Sequence, residues 1–209
     1  MYIYWLNMIG TIAFAVSGVL LAGKHKMDPF GALVLGLVTA IGGGTIRDMA
    51  LDNGPVFWVT DQTDLIAAIA ACVVTMLIGR RLCRLPLRLL PFLDAIGLAV
   101  FVAVGINRAL LFDAPPLVAV VMGVLTGVGG GMLRDMLAGE VPMVLRTEIY
   151  ATACIVGGAF HAIAITSFAL DSTLAMYLGM AITLTIRLAA IRWHLKLPSL
   201  LLCPPDKAP

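Results

Sequence analysis

The chain has 209 residues, of which 61% are hydrophobic and only 12% are charged. Soluble domains carry about 25% charged residues, so this composition excludes an ordinary soluble protein and indicates one that lies in a lipid bilayer. The net charge of +2 gives no reason to expect a nucleic-acid partner. The four cysteines have no paired spacing, so neither a disulfide framework nor a zinc site follows from them.

Seven apolar segments are each long enough to cross the hydrocarbon core, which takes about 20 helical residues. Prolines and short polar clusters separate the segments, and tyrosines and tryptophans lie near their ends, as in an aromatic belt. We therefore predict an all-α membrane protein with seven transmembrane helices in one domain, 1–196, followed by a short C-terminal tail, 197–209. The predicted spans are 3–23, 30–49, 62–82, 92–112, 116–136, 147–168 and 172–192.

The loops between these spans differ in charge. The first and third loops and the C-terminal end are basic, whereas the second loop is acidic. Because cytoplasmic loops carry an excess of lysine and arginine, we predict a membrane protein with its N-terminus outside and its C-terminus in the cytoplasm. The basic residues are Lys24, Lys26, Arg80, Arg81, Arg84, Arg88, Arg187, Arg192 and Lys196, and the acidic ones are Asp52, Asp61 and Asp64.

One motif occurs twice. The sequence Gly-Gly-Gly-x-x-Arg-Asp at 42–48 returns at 129–135, which is 87 positions further along the chain. At the same offset Pro29 aligns with Pro116 and Gly18 with Gly105. Each copy holds three spans, an odd number, so the second copy must enter the membrane in the opposite sense. We predict an inverted-topology repeat, with repeat one at about 3–82, repeat two at about 92–168 and an extra helix at about 172–192.

The two glycine triplets, Gly42, Gly43 and Gly44 in the second span and Gly129, Gly130 and Gly131 in the fifth, are predicted to break their helices near the middle of the bilayer. Carbonyls freed by such a break carry the negative end of the helix dipole, where a cation could pause. The alternative is close helix packing. Small residues recur every fourth position around both triplets, as they do where helices approach closely.

Charged residues follow each triplet: Arg47 and Asp48 in the first copy, and Arg134 and Asp135 in the second. Side chains at i and i+1 point in different directions on a helix, so we expect each charge to find its partner on another helix. These residues are predicted to lie on the ion path, where the arginines could act as gates or as partners for the acids. The alternative is that they mark the membrane interface, with the arginines reaching the lipid headgroups.

Four further polar residues lie at aligned positions. Asn7 and Asp94 could line a cation path, or Asp94 could cap the start of the fourth span. Thr39 and Thr126 could offer their hydroxyl groups to an ion, or could bond back to their own helices. His161 could respond to protons or could simply pack in the sixth span.

There is no phosphate loop, metal-ligand spacing or serine elbow, so we expect neither an enzyme nor a cofactor.

The doubled Gly-Gly-Gly-x-x-Arg-Asp, the two three-helix repeats and the seventh helix together resemble the bacterial branch of the trimeric intracellular cation channel (TRIC) family, over about Tyr2 to His194. The resemblance implies a homotrimer among the lipids of the bacterial inner membrane, with one pore in each protomer. It implies that these pores conduct potassium and other monovalent cations such as sodium. It also implies that the second and fifth helices bend at their glycine triplets to shape the pore.

The sequence therefore predicts a potassium-permeable channel of the inner membrane. The alternative is a secondary transporter for a small zwitterion such as glycine. In that alternative, amides exposed after Gly44 or Gly131 would hold the carboxylate of the substrate.

Overall fold

Helices account for most of the residues that the structure, a computed structural model, describes: 2–52, 54–82, 89–146 and 149–195. The elements are α1 (Tyr2–Lys24), α2 (Pro29–Leu51), the single turn α3 (Phe57–Thr60), α4 (Thr63–Leu82), α5 (Leu89–Leu111), α6 (Pro116–Leu137), a 3-10 turn (Met143–Leu145), α7 (Ala151–Thr166) and α8 (Ser172–Trp193). Arg84, Arg88, Lys196, Cys83, Cys203 and the predicted tail lie outside the described residues.

Local sequence explains where several helices begin. Asp28 precedes α2, its side chain accepts a hydrogen bond of 2.7 Å from the Gly31 amide, and Pro29 occupies the first helical position. Asp171 likewise accepts from two amides in the first turn of α8. Each carboxylate satisfies amides that have no partner within the helix.

Five of the helices, α1, α2, α5, α6 and α8, are long and apolar enough to cross a membrane. Two shorter apolar helices lie within α4 and α7, over Thr63–Gly79 and Ala151–Thr166. Each predicted span overlaps one of these seven helices. The sequence did not predict α3, a turn that follows α2.

The helices pack as two similar groups. In one group α1, α2 and α4 contact each other, and in the other α5, α6 and α7 do so. The groups meet where α1 packs against α5 and α2 against α6, while α8 packs on α5 and α7.

The molecule has two ends. At the Arg47 end α1 and α4 begin and α2 and α5 end, and at the Arg134 end α5 begins and α1 and α6 end.

The predicted helix breaks are wrong. Both α2 and α6 continue as α-helix through their glycine triplets, and all six glycines are buried. A Cβ on Gly43 would overlap the Thr126 carbonyl, and one on Gly130 would overlap the Thr39 carbonyl. The physical reason is a difference in cost. Glycine weakens a helix by about 1 kcal/mol per residue, whereas each backbone group left unsatisfied in the bilayer costs several kcal/mol.

The glycines serve close approach between helices instead, as the packing alternative predicted. A Cβ on Gly18 would lie 2.7 Å from Cα of Gly36, and one on Gly105 would lie 2.9 Å from Cα of Gly123. These two contacts join α1 to α2 and α5 to α6, and they are related by the same 87-residue offset as the doubled motif. Backbones that approach this closely gain van der Waals contact, which is a main source of helix association in lipid.

Candidate functional site

The first charged pair is formed by neighbours in sequence, contrary to prediction. Arg47 contacts Oδ1 of Asp48 through Nε at 2.8 Å and through Nη2 at 2.7 Å. The other oxygen, Oδ2, accepts a hydrogen bond of 2.9 Å from the amide of Phe57, at the start of α3. Cβ atoms of neighbouring residues point in different directions on a helix. The arginine side chain is nevertheless long enough for its guanidinium group to reach the carboxylate of the next residue.

The second pair repeats this geometry. Arg134 contacts Oδ1 of Asp135 at 2.9 Å from Nε and 2.8 Å from Nη2, and Oδ2 of Asp135 accepts a 2.9 Å hydrogen bond from the amide of Met143. Each aspartate thus joins an arginine on its own helix to the loop that follows that helix. Arg134 also has a partner on another helix, α5, so for this arginine the expectation is confirmed.

Asp94 is this additional partner. Nη1 of Arg134 lies 2.8 Å from Oδ1 of Asp94 on α5 and 3.0 Å from Oγ of Ser17 on α1. Arg134 and Asp94 are both fully buried. Asp94 lies inside α5, which begins at Leu89, so the alternative that it caps this helix is wrong. Burial of the charges is tolerated because two carboxylates and a hydroxyl group surround one guanidinium.

A pocket of about 380 Å³ opens at the Arg47 end. On its wall, Nδ2 of Asn7 donates a 2.7 Å hydrogen bond to Oδ2 of Asp64. The ring of Phe57 lies 5.8 Å from the Arg47 guanidinium carbon and packs on Gly44. The lining residues are Ile3, Tyr4, Asn7, Arg47, Phe57, Thr60, Asp61, Asp64, Val104, Asn107, Arg108 and Leu111.

The hydroxyl groups of the aligned threonines form hydrogen bonds within their own helices. Thr39 donates to the Leu35 carbonyl at 2.6 Å, and Thr126 donates to the Met122 carbonyl at 2.5 Å. Both side chains are fully buried. The back-bonding alternative is therefore confirmed for both residues.

Glu140 is a charged centre that the sequence analysis missed. At the Arg134 end it contacts Lys24 Nζ at 2.6 Å, His25 Nε2 at 2.9 Å and Arg146 Nη2 at 2.9 Å. The hydrogen bond from Lys24, with those from His25 and Arg146, lowers the pKa of Glu140 to about 2. An inverted repeat puts the end of the first span beside the end of the fifth, which is the signal that could have paired Lys24 with Glu140.

Two buried side chains lie where α7 packs on α8. Arg187 was predicted as a basic residue of the cytoplasmic side, but it is fully buried. Its Nη1 donates to the Ile149 carbonyl at 3.0 Å, and its guanidinium lies 4.4 Å from the Tyr150 ring centroid. His161 is also fully buried, and its Cβ faces Gly179 of α8. Its position agrees with the packing alternative.

Known proteins with this architecture are membrane proteins and include ion channels. A family model described as "Glycine transporter" matches residues 4–80 and 91–166, two segments whose first residues are 87 positions apart. The UPF0126 inner membrane protein YadS of Escherichia coli K12 is 63% identical over 95% of this chain and 96% of its own length. A TRIC trimeric intracellular cation channel orthologue from Rhodobacter sphaeroides is 40% identical, with a TM-score of 0.86, over 93% of this chain and 99% of the other.

A second solved TRIC cation channel is 34% identical, with a TM-score of 0.85, over 95% of this chain and 97% of the other. The class of protein is thus a helical membrane protein of the TRIC fold. The chain belongs to the family that the matching model describes and is a bacterial TRIC-like member of it.

Proposed function

We propose that this protein is a cation channel of the bacterial inner membrane, permeable to potassium and other monovalent cations. In this proposal it is a homotrimer with one ion path in each protomer. The observation that carries the proposal is the likeness, with a TM-score of 0.86 over 93% of the chain, to a TRIC cation channel. Buried charged pairs near both ends of α1, α2, α5 and α6 support it, because ionisable groups inside membrane proteins mark ion pathways.

The proposed topology has seven crossings in two inverted three-helix repeats, with the N-terminus outside and the C-terminus in the cytoplasm. The pocket at the Arg47 end then opens to the outside, and Glu140 lies at the cytoplasmic surface. Lys24, Lys26 and Arg146 share the cytoplasmic end with Glu140, which agrees with the excess of basic residues expected there.

The proposed path follows the interface of α1, α2, α5 and α6. At its centre the triplets of α2 and α6 are in contact: a Cβ on Gly129 would lie 3.2 Å from Cα of Gly43. Conduction therefore requires α2 and α6 to separate there. The main chain at 42–44 and 129–131 would line the opened path, with Arg47–Asp48 outside and Arg134–Asp135 inside.

Single-channel recording tests this proposal. The purified protein in a planar bilayer with asymmetric potassium chloride should give unitary currents that reverse near the potassium equilibrium potential. Asp48→Asn and Asp135→Asn should shift the reversal potential in mixed potassium and sodium, since each removes a charge from one end of the path. A protein of trimer size that gives no unitary currents under any voltage contradicts the channel proposal.

A second candidate is a transporter of a small zwitterion such as glycine. One observation favours it: the pocket at the Arg47 end presents guanidinium groups of Arg47 and Arg108 together with the Asp61 and Asp64 carboxylates. A substrate carboxylate would then contact an arginine, since the continuous helices expose no amides after Gly44 or Gly131. Saturable uptake of radiolabelled glycine into proteoliposomes, without unitary currents, would favour this candidate.

A further inference from the structure

We infer that a pocket between α1, α2 and α4 at the Arg134 end binds one acyl chain of a phospholipid whose headgroup carries a phosphate and a primary ammonium group, as in phosphatidylethanolamine. This α1–α2–α4 pocket has a volume of about 310 Å³ and shares no lining residue with the pocket at the Arg47 end. The inference concerns a lipid and not the transported solute, so it applies to a channel and to a transporter alike.

The mouth of the pocket lies where three helices leave the apolar part of the molecule. Gly23 is the second-to-last residue of α1, Pro29 is the first residue of α2, and Gly79 is the last residue of the apolar stretch of α4. From this level the pocket extends inward as far as Val19 on α1 and Thr75 on α4. Four residues of helix span about 6 Å. The pocket therefore covers the depth from the lipid headgroups to the first carbons of the acyl chains.

The pocket is open because two helix positions have no side chain. A Cβ added to Gly23 or to Gly79 would meet no atom within 4 Å, whereas a Cβ on any other described glycine within a helix has a neighbour inside that distance. Glycine weakens a helix relative to alanine, and at these two positions neither close helix packing nor a positive φ requires it. The space beside both glycines is therefore available to a ligand.

The walls of the pocket suit a hydrocarbon chain. Leu20, Met27 and Met76 line it. Thr75 lines it too, but its hydroxyl already donates a 2.6 Å hydrogen bond to the Ala71 carbonyl. Apolar walls gain van der Waals contacts from atoms that fill the space between them. Acyl chains surround the helices at this depth and can enter without giving up hydrogen bonds, which water could not do.

Two charges of opposite sign at the mouth select the headgroup. Asp28 lines the pocket, and its Oδ1 accepts a 2.7 Å hydrogen bond from the Gly31 amide. Lys26, two residues earlier in the same loop, is exposed. Neither charge forms an ion pair within the described part of the chain. An ammonium group can donate to the carboxylate while Lys26 contacts a phosphate, and a phosphatidylethanolamine headgroup carries both groups.

The second half of the chain has side chains where the first half has the two glycines. At the 87-residue offset Gly23 corresponds to Leu110 and Gly79 to Thr166. Leu110 packs against the hydrophobic core of the second half. The lipid site is therefore a property of the first half alone.

Native mass spectrometry of the purified full-length protein tests this site. The protein is titrated with an equimolar mixture of phosphatidylethanolamine and phosphatidylglycerol that have the same acyl chains. We expect saturable binding of one phosphatidylethanolamine per chain. Gly79→Leu and Gly23→Leu each place a side chain in the pocket, so each should weaken this binding about tenfold, the ratio that 1.4 kcal/mol represents.

Asp28→Asn tests the headgroup separately, because it adds no bulk. Asparagine caps a helix about as well as aspartate, so α2 should be unaffected while the negative charge is lost. The preference for phosphatidylethanolamine over phosphatidylglycerol should then fall about threefold, as for an exposed ion pair. Equal binding of the two lipids by the parent overturns the headgroup assignment.

The matched controls are Ala70→Leu and Asp113→Asn. Ala70 is exposed on α4 outside the pocket, and Asp113 is an exposed acid in the loop after α5. Both should bind lipid as the parent does. Binding that survives both glycine-to-leucine variants, or that Ala70→Leu weakens as much as they do, overturns the site. If those two variants lose the parent's assembly size in size-exclusion chromatography, a second copy of the chain covers the pocket and the lipid site is overturned.

Discussion

The two ends of the molecule use the same Arg–Asp unit in opposite surroundings. Arg47 is paired with Asp48 and lines an open pocket together with polar residues that include Asn7, Asp64 and Arg108. Arg134 is fully buried, and two carboxylates and a hydroxyl group surround it. The change from Asn7 to Asp94 at the aligned position accompanies this difference. The arginine with one carboxylate partner thus lies beside an open pocket, and the arginine with two is fully enclosed.

The largest expected effect comes from removing each arginine in turn. Arg134→Gln leaves Asp94 and Asp135 buried together without a cation, so it should lower the free energy of unfolding by about 3–5 kcal/mol. Arg47→Gln should cost less, because it leaves one buried carboxylate without its cation rather than two. The measurement is thermal unfolding in detergent, in which size-exclusion chromatography gives the folded fraction at each temperature. Equal losses for the two variants would contradict this difference between the two ends.

The next effect concerns the crossing that both halves share. Gly43→Ala and Gly130→Ala each place a methyl group against a carbonyl oxygen of the other helix, so each should destabilise the protein by about 3 kcal/mol. The two losses should be equal, because the contacts are equivalent. Gly23→Ala is the control, since a Cβ there meets nothing within 4 Å. Unequal losses would show that the halves already differ at their centre.

The smallest effect concerns Glu140. Glu140→Gln should cost about 1 kcal/mol at neutral pH, because its ion pairs are partly exposed. The pKa of Glu140 is about 2 in the folded protein, below its usual value of 4.5. Its stabilising contribution is therefore complete above about pH 4.5 and is lost as the pH falls towards 2. Melting temperatures of the parent and the variant should converge over this acid range, and a constant difference would contradict the assignment.

Sequence reasoning predicted the positions of the long helices, because apolar runs of bilayer length leave the chain few alternatives. It failed where a local preference competed with the bilayer. Glycine triplets favour an open chain in water, but α2 and α6 stay helical because lipid cannot satisfy free backbone groups.

Within the site, sequence reasoning identified the doubled Arg–Asp motif, whose place on an ion path stays a prediction, and gave the back-bonding of the two threonines as one of two alternatives. It did not predict the Arg47–Asp48 contact, because that contact depends on how a long side chain folds. Nor did it predict the burial of Arg187, which lies near a helix end where basic residues are ordinarily solvated. Tertiary packing decides both, and helical spacing does not describe it.

The glycine crossing also has a consequence for how such a chain can change over generations. Each triplet makes room for a carbonyl of the opposite helix, Gly43 for Thr126 and Gly130 for Thr39. Neither copy of the duplicated segment can therefore acquire a side chain there unless the other retreats. Residues at the two ends can change independently in the two copies. The glycines at the centre can change only if the facing helix moves away.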